Sequence, residues 1–199
     1  MKSTESHYIT RLINKNILKI NDCLTILKSI DKPDKYRKIS KILGKIGTRE
    51  DDLVKSIDPT LWGKTCLGAI GYIGNEGNAV KLFLQIIKTD QNEDLRFEAA
   101  SALGNVASRH QNTLIPLIIS EANASKDDYI FIYAVREMLN LTERPFNDLS
   151  NLIEWLFHKS ENKYEGESNY YIISECIGKI ALTSEEAANK ILQNASSKI

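Results

Sequence analysis

One short pattern comes round again along this chain, and it limits the fold more than any other feature. Lys64–Gly74 (KTCLGAIGYIG), Ala100–Ala107 (ASALGNVA), Ile132–Leu139 (IYAVREML) and Ser174–Leu182 (SECIGKIAL) share it. Each reads as a small residue, an aliphatic, glycine or a replacement, then an aliphatic three positions on. The aliphatic anchors are Leu67, Leu103, Val135 and Ile177, separated by 36, 32 and 42 residues. A weaker copy, Lys41–Gly47, has its anchor at Leu43, only 24 residues before Leu67. Another apolar stretch precedes most anchors: Ala79–Lys88, Thr113–Ala122 and Asp148–His158. The unit is helix, turn, helix, recurring at about 30–45 residues, the period of α-solenoids. One pair alone cannot bury its apolar stripe, so neighbouring pairs must stack to do so.

Apolar spacing supports helix nearly everywhere. Ile9, Ile13, Ile17, Ile20, Leu24 and Leu27 step by three or four, and Tyr36, Ile39, Ile42, Leu43 and Ile46 line one side of a second helix over 34–46. Tyr129–Val135 (YIFIYAV) has the composition of a strand, but it runs on into REMLNL with Ile132, Val135 and Leu139 at helical spacing. The predicted fold is all-α, an α–α superhelix of about four to five helix pairs. The whole chain, 1–199, is expected to be one array, with divergent basic helices over 1–57 and clearer repeats over 58–199.

Boundary chemistry agrees. Asp58-Pro59 predicts a helix start, with the acid as N-cap and proline in the first turn. Thr89–Asp94 (TDQNED) and Ser125–Asp128 (SKDD) predict turns that set carboxylates at helix N-termini. His158–Asn169 is the longest polar stretch and is predicted to be a mobile loop. Glycine inside a helix costs up to about 1 kcal/mol relative to alanine, so the repeat glycines are expected at close packing contacts.

Gly63-Lys64-Thr65 ends like a phosphate-binding P-loop, but the rest of that motif is missing. The position five before Gly63 is Asp58, whose charge would repel phosphate, and no apolar strand precedes it. Gly68, Gly71 and Gly74 do not form a dinucleotide fingerprint. No HExxH, GxSxG or CxxC occurs, so catalytic, cofactor-binding and metal-binding residues are all read as none. The three cysteines, Cys23, Cys66 and Cys176, are scattered within apolar patterns and read as buried thiols in a reducing compartment.

Net charge is zero but uneven: residues 1–50 carry 12 Lys/Arg against 5 Asp/Glu, and the remainder 14 against 21. The basic excess peaks over Lys32–Arg49. It reads first as a solvated helix face, then as a protein contact, and last as a nucleic-acid contact, because no aromatic-interleaved basic platform accompanies it. No apolar run reaches the ~18 residues of a membrane span, and the first ten residues show no apolar signal region.

Asp90–Ala107 (DQNEDLRFEAASALGNVA) resembles the second half of a HEAT repeat, with an acid in the turn, the Leu95-Arg96 pair, then Ala99 and Leu103. The positions aligned with Arg96 elsewhere are Thr60, Asp128 and Tyr170, so no continuous acid–base ladder between repeats is expected. A wider resemblance runs from about Thr60 to Leu192. Leu95–Leu139, with its AASALG helix, its Pro116-containing helix and its Arg136-Glu137-aliphatic ending, is similar to a segment of the cullin-associated, neddylation-dissociated proteins. Asn169–Leu182 resembles that family's AECLGKL-type helix, and Cys66–Gly74 takes the place of its SLGEVG-type helix.

This resemblance implies a HEAT solenoid that binds an unmodified cullin and promotes exchange of substrate receptors on cullin-RING ubiquitin ligases. The matching region belongs to the family's C-terminal half, which grips the cullin's N-terminal region in competition with its adaptor. It implies a cytoplasmic or nuclear protein whose partner is a protein, with no cofactor, small-molecule substrate or membrane. The chain is expected to be a fragment or a reduced product, without a counterpart of the family's adaptor-displacing hairpin. A HEAT scaffold of another class, in nuclear transport or a vesicle coat, is the alternative reading. Solenoids commonly bind along their second helices, so the polar residues just past the anchors, Asn105, Arg109, Arg136, Glu137, Asn140 and Lys179, are the candidate partner-binding residues.

Overall fold

The apolar period of three to four residues is realised as helix throughout the computed structural model, which describes residues 40–43, 53–142, 149–161 and 167–196. In chain order the helices are α1 (Leu61–Ile73), α2 (Asn78–Thr89), α3 (Glu93–Ala107), α4 (Gln111–Asn123), α5 (Tyr129–Leu141), α6 (Ser150–Glu161), α7 (Glu167–Ala181) and α8 (Glu185–Ser196). Ser40–Leu43 is also helical. No strand occurs among the described residues. The chain divides into two units, Met1–Ala102 and Leu103–Ile199, with the boundary inside α3. The helices expected over 9–27, most of the one over 34–46 and the basic segment 32–49 fall largely outside the described residues.

In the first unit, α1 begins later than Asp58-Pro59 predicted. Its N-cap is Thr60, whose Oγ1 accepts from the Gly63 N–H at 3.2 Å. Asp58 instead accepts from the Thr60 N–H at 2.9 Å, fixing the chain just before the helix. A hydroxyl one turn below the free N–H groups satisfies them, while the acid two residues earlier is taken up by the cap itself. At the other end the Gly74 N–H donates to Ile70 O at 2.7 Å. Cys66, Leu67, Ala69 and Ile70 are buried, as are Leu43, Phe83 and Ile87. Ser40 Oγ donates to Thr65 O at 2.9 Å inside this core.

Close packing rests on Gly71. A methyl group there would sit 2.9 Å from Ala102 Cα of α3, so α1 and α3 approach backbone to backbone. The turn before α3 is built as read: Asp90 accepts from the Asn92 N–H at 2.8 Å, Asn92 Oδ1 accepts from the Leu95 N–H at 2.9 Å, and Glu93 and Asp94 occupy the first turn. Arg96 reaches back, its Nε donating to Ile87 O at 2.7 Å near the end of α2. It thereby satisfies one of the carbonyls that a helix leaves open at its C-terminus.

In the second unit the helices form two rows. α4 packs on α6 and α6 on α8; α5 packs on α7; and each row meets the other through α4 with α5, α6 with α7 and α7 with α8. This is the alternation of first and second helices that defines a helical-repeat solenoid. α5 is covered on most sides, with Ile130, Phe131, Ile132, Ala134, Val135, Met138 and Leu139 buried. That explains the strand-like composition of Tyr129–Val135. Tertiary burial outweighs the small helix-propensity penalty of β-branched residues.

Gly104 repeats the device of Gly71. A methyl group there would lie 2.3 Å from the Ala134 carbonyl oxygen and 3.0 Å from Met138 N, both on α5. Lys159 of α6 pairs with Asp128 at the N-cap of α5; their side chains are only 8% and 15% exposed. The Lys159 ammonium also stands 5.9 Å from the Trp155 ring centroid, and Trp155 Nε1 donates to Asn123 Oδ1 at 3.2 Å. Asp128 therefore serves a buried ion pair between α5 and α6, not an acid–base ladder.

Two expectations are corrected here. The polar stretch His158–Asn169 is not one loop, since His158–Glu161 continue α6 and Glu167–Asn169 begin α7; residues 162–166 are outside the described set. Leu67, Leu103 and Val135 are fully buried anchors, but Ile177 is only half-buried, and Gly178 is exposed with no neighbour within 4 Å of a built Cβ. In α7 the buried set is Ile172, Ile173, Cys176 and Ile180.

Candidate protein-binding surface

All six candidate contact residues lie in the second unit, on or just past its second helices. At the end of α3, Asn105 is buried, contrary to the expectation that it faces a partner. Its role is local: Arg109 Nη1 donates to Asn105 O at 3.0 Å and to Asn105 Oδ1 at 2.8 Å. A buried amide needs its hydrogen-bonding groups satisfied, and the residue one turn on supplies that partner. Arg109 itself is exposed.

On α5 and α7 the geometry joins four residues. Lys179 Nζ donates to Glu175 Oε1 at 2.6 Å and also to Asn140 Oδ1. Arg136 Nε stands 2.8 Å from Glu175 Oε2, a charge contact whose N–H is not aimed along the hydrogen bond. Glu175 thus sits between two cations, one from each helix. The hydrogen bond from Lys179 is the main reason its carboxyl titrates below the ordinary 4.5; the charges of Arg136 and Lys179 add to this, and partial burial opposes it. Glu137 turns its stem toward Gly104 of α3, where a built Cβ would come 2.9 Å from Glu137 Cβ.

Sequence reasoning missed Glu175, the hub of this group. The signal was present, because a glutamate four residues before a lysine is the favoured helical ion-pair spacing. What the sequence could not give is that α5 supplies Arg136 and Asn140 to the same carboxylate region. The result is a polar ridge with a net charge of one positive, largely half-exposed, with side chains held in place before any partner arrives. Ion pairs this exposed contribute only about 0–1 kcal/mol to folding, so they can be re-formed with another molecule at small cost.

Gly63-Lys64-Thr65 is the first turn of α1, and its groups are engaged within the first unit. The Gly63 and Lys64 N–H groups go to Thr60, Thr65 Oγ1 donates to Leu61 O at 2.7 Å, and Lys64 Nζ pairs with Asp94 at 2.7 Å. Among the described residues, no group of three or more His, Cys, Asp or Glu is placed to hold a metal ion. No described helix is long and apolar enough to cross a membrane.

Known proteins resemble part of this chain. The chain is 29% identical over 107 residues to cullin-associated NEDD8-dissociated protein 1 of Arabidopsis thaliana, covering 51% of this chain and 9% of that protein. It is 27% identical over 143 residues to the protein of the same name in Drosophila melanogaster, covering 65% and 11%. The chain is a distant relative of the cullin-associated NEDD8-dissociated proteins. Cullin-associated NEDD8-dissociated protein 2 of Mus musculus matches at 26% over 125 residues, 59% of this chain and 10% of that protein. The matched stretch therefore corresponds to about a tenth of each of these cullin-associated relatives. No family model matches the chain, and no solved structure does.

Proposed function

We propose that this chain is a non-enzymatic, protein-binding helical-repeat module that docks on the N-terminal region of a cullin in competition with the cullin's adaptor. In this reading it influences assembly of cullin-RING ubiquitin ligases, in the cytoplasm or nucleus. The observation that carries the reading is that relatives from plant, fly and mouse all bear the cullin-associated name. The pre-positioned ridge of Arg136, Asn140, Glu175 and Lys179 supports it, with Arg109 as a further exposed cation at the end of α3 and with Asn105 and Glu137 acting beneath the contact surface.

The test is a pull-down of purified cullin N-terminal region by the chain, with and without bound adaptor. Binding to the adaptor-free form alone is expected; failure to bind that form overturns the proposal. Arg136→Ala with Lys179→Ala is expected to weaken binding by roughly fivefold to tenfold, the scale of a modest interface contact. The melting temperature should hold, because the two ion pairs removed are half-exposed. Unchanged affinity in that variant would move the interface to another face.

A further inference from the structure

The ridge between α5 and α7 offers more donors than acceptors. It lies where two consecutive second helices pack on one another, so its exposure is that of a finished junction between repeats. The side chains of Arg136, Glu175 and Lys179 are 39%, 37% and 30% exposed, and Asn140 is exposed. One carboxylate is shared by two cations. On the α3 side of α5, Glu137 and Arg109 add one charge of each sign, so the face keeps an excess of one positive charge. Residues 51–199 as a whole carry 14 Lys/Arg against 21 Asp/Glu, so this excess runs against its surroundings.

The hydrogen bonds show which group is least committed. The Lys179 ammonium has three N–H donors; one goes to Glu175 Oε1 at 2.6 Å and another to Asn140 Oδ1. Arg136 Nε stands 2.8 Å from Glu175 Oε2, yet its N–H finds no acceptor. A guanidinium presents its donors as a planar fork that suits a carboxylate, and at Nε the Arg136–Glu175 approach leaves that fit unused. Glu175 is tied chiefly to Lys179, whose hydrogen bond is the largest cause of its lowered titration. Half-exposed ion pairs are weak, so Arg136 can change partner at small cost. A basic group arriving here would meet carboxylate and amide oxygens that already face cations, whereas an acid would meet donors.

We propose that this ridge receives one carboxylate side chain of the partner protein, and that Glu175 is its built-in competitor, holding Arg136 in the free chain and yielding it when the partner's acid arrives. The inference rests on reading the chain as a protein-binding module, but it does not need the partner to be a cullin. Lys179 stays on Glu175 and Asn140, which keeps its positive charge beside the incoming group. The acid balances the excess charge and gives the guanidinium the aligned hydrogen bonds it lacks. Glu175 lowers affinity by repulsion and so sets it. A partner surface with no acid at this point gains nothing by displacing the internal pair.

The probe is a synthetic decapeptide of alternating glutamate and glycine, titrated into the full chain and followed by NMR at the Arg136 Nε–H and the backbone amides. Saturable shifts at Arg136 and Lys179 are expected, and none with the same peptide carrying glutamine for glutamate. Glu175→Gln should tighten binding roughly threefold to tenfold, the effect of removing a like charge beside the site, whereas Arg136→Gln should abolish the shifts at Lys179. Both substituted side chains are half-exposed, so circular dichroism should show folded variants. A merely structural Glu175 would leave Glu175→Gln neutral or weaken binding by loosening the cations, and either result overturns the proposal. Shifts that are absent, or confined to Lys32–Arg49, overturn it too. Peptide binding at the ridge with a failed cullin pull-down would uphold the acid receptor and overturn only the cullin reading. Cullin binding that ignores Glu175→Gln would overturn the acid receptor alone.

Discussion

Substituting alanine at Gly104 and at Gly178 should move stability in opposite directions. Helix propensity favours the change at both sites, by up to about 1 kcal/mol in a helix interior and less near the end of α7. At Gly104 the new methyl group would meet the Ala134 carbonyl oxygen at 2.3 Å and Met138 N at 3.0 Å. A carbon and an oxygen need roughly 3.3 Å, so α3 and α5 would have to separate by about 1 Å. Both obstructing atoms are backbone, and no side-chain rotation relieves them. Forcing one carbon into a packed contact costs about 1–3 kcal/mol, towards the upper end where the obstructing atoms are backbone, and after the propensity gain this leaves a net loss of up to about 2 kcal/mol. At Gly178 no atom lies within 4 Å, so only the propensity gain remains, about 0.5 kcal/mol. Urea unfolding followed by circular dichroism checks both, with the midpoint lowered for Gly104→Ala and unchanged or raised for Gly178→Ala. A raised midpoint for Gly104→Ala would refute the reasoning, because α5 would then not be seated on that glycine.

The buried pair of Lys159 and Asp128 gives a second test. Lys159→Met alone should cost about 3 kcal/mol by stranding a carboxylate, whereas Lys159→Met with Asp128→Leu should recover most of that loss in urea midpoints. Glu175 makes stability pH-dependent. Its folded-state titration is depressed, so its contribution is complete above the ordinary value of 4.5 and is lost as pH falls through the lower folded value. Glu175→Gln should therefore flatten the stability curve below pH 4.5 and leave its shape above that pH unchanged, as read by urea midpoints across an acid series. Burial pushes the Cys176 thiol up to about 12, with Glu175 adding to the effect. Peptide-mapped alkylation near neutral pH should leave Cys176 unmodified in the folded chain and modify it once urea unfolds the second unit.

Much of this architecture is legible in the sequence, because periodicity is a one-dimensional signal. Leu67, Leu103 and Val135 recur at the period of a helix pair, and each is fully buried. Even Tyr129–Leu141, with its strand-like residues, showed its helix through the spacing of Ile132, Val135 and Leu139. Boundaries were harder. Asp58 and Thr60 are both good N-caps, and only the folded chain shows which oxygen reaches a free N–H. The long polar stretch from His158 was misread because charge and polarity suit an exposed helix end as well as a loop.

The candidate surface divides in the same way. The sequence alone determined which residues follow the buried anchors, since helical phase fixes their neighbourhood. It could not determine which of them are accessible. Asn105 and Lys179 occupy matching places in the repeat, yet one is buried beneath Arg109 and the other spans from Glu175 to Asn140. Gly104 and Gly178 match as closely, but only the first is covered by a helix. Helix, turn and anchor come from local spacing, which the chain carries wherever it is. Contact and exposure depend on what the neighbouring repeat brings up, and that is decided only when helices distant in sequence come together.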